Sequence, residues 1–388
     1  MTGFIVDTDD HKLIRETVAS IVESYGKDYY LPRSFSHGGI DELWGELGAA
    51  GLLGVHLPEQ YGGGGGGLSE SVIVIEELAA HGMPILNSVI SPGICGSIIA
   101  AHGSDAMKAE WLPGVADGSK KIAFALTEPD AGSNSHNVAT VAKRDSYGWV
   151  ISGSKYYISA IDEADAVLLV ARDGGIPADS KGRHKLTLFL IPLPAAGLEI
   201  QKLDTVVVSP DQQSTVFFES VHVGPESLIG EQGKGLYHVF AGLNPERILA
   251  AALSNGIGRY AVSRATDYAK GRSVWGVPIG SHQGVSHPLA LTHIEVETSR
   301  LATWRAAQLF DTGGDAAEAA NMAKFVASEA SLKALDQSIQ AHGGNGLARE
   351  YGLADLWFIA RLMRTAPVSR EMVLNFVSQT VLGLPASY

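Results

Sequence analysis

Residues 124–134 read Phe-Ala-Leu-Thr-Glu-Pro-Asp-Ala-Gly-Ser-Asn. A short apolar run of strand character ends there in a loop of small residues. Such a loop exposes backbone N–H groups that can hold the phosphates of a bulky planar cofactor. The same stretch divides the chain. Upstream, from Asp9 to about Lys120, apolar residues recur at helical spacing, as in Leu13, Val18, Ile21 and Val22 and later Val72, Ile75 and Leu78, with Gly and Pro between segments. Downstream to about Ile229 the pattern turns into short apolar runs: Trp149-Val-Ile, Tyr156-Tyr-Ile, Ala166-Val-Leu-Leu-Val, Leu186-Thr-Leu-Phe-Leu-Ile and Thr215-Val-Phe-Phe, parted by turns such as Arg172-Asp-Gly-Gly. From Gly235 long helical patterns return, over Pro245–Lys270, Pro288–Asp311 and Ala316–Ala341. The expected fold is α+β in three units: all-α over 1–121, a β-sandwich or barrel over 122–230, and a four-helix-type bundle over 231–388.

Composition sets the outer bounds. With 388 residues, 45% of them hydrophobic, the chain can bury a sizeable core. A formal charge of −13 argues against a surface that tracks nucleic-acid phosphates. Cys95 is the only cysteine, so no internal disulfide forms and a reducing compartment, by default the cytoplasm, is expected. The start, Met1 to Asp10, has neither the basic opening nor the apolar run of a signal peptide. The most membrane-like stretch, Pro84 to Ala101, is interrupted by Asn87, Pro92, Gly93 and Gly96 and reads as a buried helical region. Gly62 to Gly67 formally contains G-x-G-x-x-G, but Leu57-Pro-Glu-Gln-Tyr before it is a poor strand, and neither an acidic residue of a βαβ unit nor a P-loop Lys-Ser/Thr follows. A flexible turn leading to a helix N-capped near Ser69 is expected instead. The 13 histidines form no His-Glu-x-x-His pair, and His282 and His287 are five apart, so no metal site is expected.

Residues 124–134 closely resemble the flavin- and thioester-binding signature of the acyl-CoA dehydrogenase family, and three further segments follow in the family's order. The resemblance implies FAD bound between the β-unit and the bundle, with an acyl thioester against its ring. It implies that Thr127, beside Leu126, bonds the flavin edge, and that Ser133 meets the phosphate-bearing arm of the thioester or the flavin pyrophosphate. Read alone, Thr127 is a strand-end threonine and Ser133 a turn residue; Glu128 and Asp130 read as loop caps. In Gly153-Ser-Lys-Tyr-Tyr-Ile-Ser159, Tyr157 would stack on the flavin and Ser159 would bond its polar edge, where the family usually has Trp and Thr. Two apart on a strand, they share a face. Arg272-Ser-Val-Trp-Gly-Val-Pro-Ile-Gly-Ser-His-Gln283 resembles a family segment that reaches the FAD of a neighbouring subunit. Arg272 would fork onto pyrophosphate oxygens, Trp275 pack the cofactor and Gln283 supply an amide. An oligomer is implied. Gln340-Ala-His-Gly-Gly-Asn-Gly346, followed by Tyr351, is close to the family's C-terminal signature. Gly343 and Gly344 would let the adenine side approach the backbone, Gln340 offers an amide, and glycine there also suits a helix C-cap; His342 reads as packing.

Dehydrogenation beside a thioester needs a carboxylate that removes the α-proton, in a water-poor pocket that raises its pKa. Many relatives carry that base in a Tyr-Glu-Gly-Thr segment, whose counterpart here is Ala366-Pro-Val-Ser369, with Pro367 on the glutamate. Ser369 would keep the threonine's contact with the cofactor and Glu371 a polar contact two residues later. A subset resembling isovaleryl- and long-chain-specific enzymes carries the base within Leu-x-x-Glu-Arg on the helix that opens the bundle. This chain has Leu243-Asn-Pro-Glu-Arg247, so Glu246 is the expected base, in a first helical turn behind Pro245, with Leu243, Asn244 and Arg247 beside the substrate. Pro367 also lacks the backbone N–H with which relatives polarise the thioester oxygen.

The resemblance thus implies an FAD-dependent acyl-thioester dehydrogenase that makes the trans-2-enoyl product, a homotetramer built as a dimer of dimers, passing electrons to an electron-transfer flavoprotein. The thioester carrier is CoA or a carrier protein. Neither nucleic acid nor membrane is an expected partner. Two other readings stay open: a flavin-holding, chemically silent partner subunit, which Pro367 motivates, and an oxygen-using oxidase or monooxygenase on the same scaffold.

Overall fold

The computed structural model describes Ile5 and residues 7–180 and 182–386; Met1 to Phe4 of the chain start, and Ser387 and Tyr388, lie outside the described residues. The first unit is helical: α1 (Asp9–Ser36), α2 (Asp41–Ala49), α3 (Leu68–Ala80), a π-wound segment (Val89–Gly96) running into α4 (Ser97–His102), and α5 (Asp105–Asp117). Thr8 caps α1, accepting from the His11 N–H at 3.2 Å, and Gly26, at φ 65°, kinks the helix midway. The stretch from Pro84 to Ala101 is largely buried and helical from Asn87 onward, as its composition suggests. Pro92 has no N–H to give the preceding turn, and the winding there opens to the wider spacing.

The glycine run departs from the expected flexible turn. The N–H groups of Gly64, Gly65 and Gly66 donate to the carbonyls of Gly54, Leu57 and Val55, each at 2.9 Å. A Cβ on Gly63 would lie 2.2 Å from the Leu57 carbonyl oxygen. These are glycines because another stretch of backbone lies against them. Ser69 is not the cap either: α3 begins at Leu68 with Gly67 as N-cap. The carboxylate of Asp311, from the C-terminal bundle, takes the N–H of Leu68 at 2.6 Å, the N–H of Ser69 at 3.0 Å and the Ser69 hydroxyl at 2.6 Å. The helix is capped across 243 residues of sequence.

Strands follow: β1 (Ile122–Ala125), β2 (Val141–Arg144), β3 (Trp149–Ser159), β4 (Ala166–Asp173), β5 (Leu186–Pro192), β6 (Leu198–Lys202), β7 (Gln213–Val223) and β8 (Leu228–Ile229). They form one sheet in the order β6-β7-β3-β2-β4-β5-β8, with β1 parallel to β4 and β2 also parallel to it. Trp149 of β3 meets Phe189 of β5 edge-on, ring centroids 5.4 Å apart, although two strands separate them, so the sheet wraps round a shared core in barrel fashion. β4 and β5 are buried on both faces. Leu168, Val170, Leu188 and Leu190 face helices α4 and α5, while Val167, Leu169, Phe189 and Ile191 fill the sheet's interior. Hence their unbroken apolar runs.

The last unit has three long helices, α6 (Gly235–Gly271), α7 (Gln283–Asp311) and α8 (Ala317–His342), with α9 (Trp357–Leu362) and α10 (Arg370–Phe376) after them and a small hairpin of β9 (Ser273–Val274) and β10 (Val277–Pro278) between α6 and α7. α3 shares the bundle's core: Leu68, Val72, Ile75 and Ala79 pack in one cluster with Ile248, Leu253, Ala306, Ala323 and Ala327. At that seam Glu76 accepts from Arg300 at 2.7 Å and Arg259 at 2.8 Å, and Glu77 from Arg15 at 3.0 Å and Arg259 at 2.9 Å. α6 starts ten residues earlier than its periodicity suggests. Pro245 is therefore an interior proline and Glu246 is not in a first turn, so no helix N-terminus acts on its carboxyl.

Candidate active site

Three constellations bring the expected residues together. The first lies where β1 runs out. The Thr127 carbonyl accepts the Tyr156 N–H at 2.9 Å, and the Leu126 carbonyl accepts the ammonium of Lys155 at 2.8 Å. Lys155 is fully buried and also bonds Glu128 at 2.8 Å. Burial lowers its pKa to about 8 against the pull of that carboxylate. Glu128 further accepts the N–H groups of Ala139 and Thr140, so it fastens the loop 128–140 to the sheet, as a cap should. Ser133 is exposed on that loop. In β3 the pairing slips between Lys155 and Ile158, and Tyr157 takes φ 58°, so simple alternation does not describe Tyr157 and Ser159. The irregularity leaves the Tyr157 ring 56% exposed beside Tyr156, while the Ser159 hydroxyl exchanges hydrogen bonds with Gln213 at 2.8 and 3.1 Å.

The second constellation occupies one end of the bundle. Arg272 follows α6, Trp275 sits at the tip of the small hairpin with φ 53° and 88% exposure, and Gln283 opens α7. Gln340 ends α8 before Gly343, which has φ 59°. Cβ atoms on Gly343 or Gly344 would meet nothing within 4 Å, so the loop offers bare backbone. His342 stacks on Tyr268 at 4.1 Å, Tyr351 closes on both, and Asn345 donates to the Tyr268 hydroxyl at 3.0 Å. That lock is the packing role read for His342.

The third surrounds Glu246. α6 crosses the π-wound segment so closely that a Cβ on Gly93 would lie 2.5 Å from Leu249, and one on Gly242 would lie 2.8 Å from the Ile94 carbonyl. Glu246 comes out of that crossing partly exposed, and its carboxyl takes part in no hydrogen bond or ion pair among the described residues. Burial pushes its pKa up to about 7, partly opposed by the charges of Arg247 and Lys324. Arg247 turns back to Asn244 at 2.9 Å and to the Leu243 carbonyl, leaving its buried Nε unpartnered among the described residues. Lys324 of α8 is 1% exposed and donates to the Val368 carbonyl at 2.5 Å. Its pKa is lowered to about 8 by burial. Ser369 caps α10, its oxygen accepting from the Met372 N–H at 3.2 Å with its own proton free to donate, whereas Glu371 is exposed beside Arg370. Sequence reading missed Lys324. The signal was there: with Ala320, Ala323 and Ala327 it lies on the buried stripe of α8, where helical spacing asks for an apolar residue.

The described residues hold no group of three or more His, Cys, Asp or Glu arranged for a metal, and no described helix is long and apolar enough to cross a membrane. An exposed aromatic, an arginine and bare glycine backbone at one end of the bundle, with a second exposed ring beside a strand-end threonine, form a donor set fit for a flavin dinucleotide. Comparison with known proteins agrees. Residues 8–119, 123–221 and 233–382 match the N-terminal, middle and C-terminal domains of acyl-CoA dehydrogenase, respectively. The chain belongs to the acyl-CoA dehydrogenase family, whose members are FAD enzymes. It is 52% identical over its full length, and 99% of the relative's, to the protein named acyl-CoA dehydrogenase fadE12 of Mycobacterium bovis. It is 29% identical to the mitochondrial long-chain specific acyl-CoA dehydrogenase of Sus scrofa, over 97% of this chain and 87% of that one. Butyryl-CoA dehydrogenase from Megasphaera elsdenii superposes with a TM-score of 0.92 at 27% identity, over 97% of this chain and 99% of that one. The activity is accordingly that of an FAD-dependent oxidoreductase dehydrogenating acyl-CoA.

Proposed function

We propose that Glu246 is the base of this reaction. The observation that supports it is a half-buried carboxyl, unpaired among the described residues and raised to about 7, on the wall where α6 crosses the π-wound segment. A carboxylate with that proton affinity can take the α-proton of an acyl thioester near neutral pH. Bound FAD supplies the acceptor for the β-hydride. Leu126, Thr127, Tyr157 and Ser159 hold it on the β side. Arg272, Trp275, Gln283, Gln340, Gly343 and Gly344 hold it from the bundle end, and Ser369 and Glu371 complete the polar contacts. Leu243, Asn244, Arg247 and Ser133 line the path of the thioester arm. The exposed Trp275, together with an outward stripe of Leu291, Ile294 and Leu301 on α7, supports a homotetramer in which the bundle end of one subunit meets the flavin of the next. An electron-transfer flavoprotein is the proposed acceptor partner.

The deciding experiment is Glu246→Gln. The variant should purify yellow with FAD, and its anaerobic bleaching by a panel of acyl-CoA thioesters should be slower by at least about 10³-fold. Unimpaired bleaching overturns the assignment. Pro367, which has no N–H to polarise a thioester oxygen, favours a second reading, a silent partner subunit. Co-purification of a second, Tyr-Glu-Gly-Thr-bearing chain with no bleaching by this chain alone would establish that instead.

A further inference from the structure

We propose that Lys324 is a positioning residue of the reaction centre: its ammonium ties the loop from Ala366 to Ser369 to α8 through the Val368 carbonyl, and its charge, with that of Arg247, favours the carboxylate form of Glu246. The inference rests on Glu246 being the base. Lys324 projects from the apolar stripe of α8 and is 1% exposed, yet it forms no ion pair among the described residues. Among the described residues its one hydrogen-bond partner is the Val368 oxygen at 2.5 Å. A buried ammonium with a single neutral partner is costly unless an unpaired negative charge lies near.

The charged groups that act on it come from three helices. On α8 itself, Glu329 attracts it most strongly, although it is also bonded by Arg364 at 2.8 Å and Arg370 at 3.0 Å. On α10, Glu371 is exposed to solvent beside Arg370. On α6, Arg247 repels the lysine and Glu246 attracts it. Of the three carboxylates, Glu246 alone has neither ion pair nor hydrogen bond among the described residues, and Lys324 joins Arg247 in favouring its charged form. The arrangement also bears on Pro367. The neighbouring peptide cannot be oriented by an N–H from residue 367, whereas the pull of Lys324 on the Val368 carbonyl and the grip of Glu329 on Arg364 and Arg370 fix the loop at both ends from α8.

The test uses full-length FAD-loaded enzyme and the pH dependence of the anaerobic flavin-reduction rate. In Lys324→Met the acid limb should move about one unit towards alkaline pH, so that the rate well below the limb falls about tenfold more than the rate above it. Lys324→Arg, which keeps a cation, should return the limb close to its wild-type position. Arg364→Gln, which loosens the same loop and is not among the charges acting on Lys324 or Glu246, should lower thermal stability without moving the limb. Should the methionine variant lose its flavin, Lys324→Gln takes its place, since it keeps a donor for the Val368 carbonyl and removes only the charge. An acid limb unmoved in the charge-removed variant overturns the proposal. The two failures are distinguishable: normal bleaching by Glu246→Gln removes the base itself, whereas lost bleaching there with an unmoved limb in the lysine variant removes only the lysine's part.

Discussion

At Glu246 two environments compete. Burial favours the neutral acid, and the cations of Arg247 and Lys324 favour the carboxylate; burial prevails and the pKa settles at about 7. Because only the carboxylate can accept a proton, the raised pKa means the base is available above about pH 7 and is lost as pH falls through it. The rate of flavin reduction by saturating acyl-CoA is expected to drop about tenfold per unit below that limb, and stopped-flow bleaching between pH 5.5 and 8.5 checks it. An acid limb near 4.5, the ordinary glutamate range, would contradict the raised proton affinity of Glu246. Cys95, the lone thiol, is buried and raised well above its ordinary range, first by desolvation and then by the charge of Glu246, so it is a neutral wall of the site and not a nucleophile.

Elements here are often finished by partners distant in sequence. The start of α3 has a glycine at its N-cap, and Asp311 at the end of α7 supplies the carboxylate that satisfies two of its N–H groups. Asp311→Ala should cost roughly 1–2 kcal/mol in denaturant unfolding, as loss of a helix cap does, although residue 311 lies in another unit. The glycine run makes a matching prediction. Gly63→Ala would place a methyl 2.2 Å from the Leu57 carbonyl oxygen, so the backbone must shift. A loss of about 1–3 kcal/mol is expected, where a flexible turn would have tolerated the change. α6 carries the same lesson. Its ten residues before Pro245 are helical because Val239 and Gly242 pack against α4 and the sheet, and that packing outweighs the missing proline N–H.

Across the whole molecule, the N-terminal unit is joined to the bundle by charge as well as by apolar packing. Glu76 is pushed up by burial, but Arg300, Arg259 and Arg15 outweigh that and hold it at about 2. Its folded pKa is depressed, so its contribution is complete above the ordinary value of 4.5 and is lost as pH falls from there towards about 2. The 2.5-unit difference corresponds to about 3 kcal/mol. Glu76→Gln leaves the buried guanidinium of Arg300 and the half-buried ones of Arg15 and Arg259 short of a counter-charge and should destabilise by about 3–5 kcal/mol at pH 7, with the wild-type and variant unfolding curves converging towards pH 2. A variant as stable as wild type at pH 7 would show the seam to be held by Leu68, Val72 and Ile75 alone.

Local chemistry was legible in the sequence because it is written within a few residues: the change from helical to strand periodicity at Ile122, the unbroken apolar runs of β4 and β5, Gly343 ending α8, and the segments around Thr127, Tyr157, Arg272 and Gln340 that resemble one family. What depends on residues far apart was not. The glycine run read as a flexible turn because its partners, Gly54, Val55 and Leu57, show no mark of being partners. Lys324 was missed because, although its place on an apolar stripe marks it as buried, nothing near it in the chain says that the Val368 carbonyl and the charge of Glu246 meet it. Sequence alone determined the order of elements and the residue types at the site. The three-dimensional packing decided the proton affinity of Glu246, the cap of α3 and the slip at Tyr157, since desolvation and charge act through space and not along the chain.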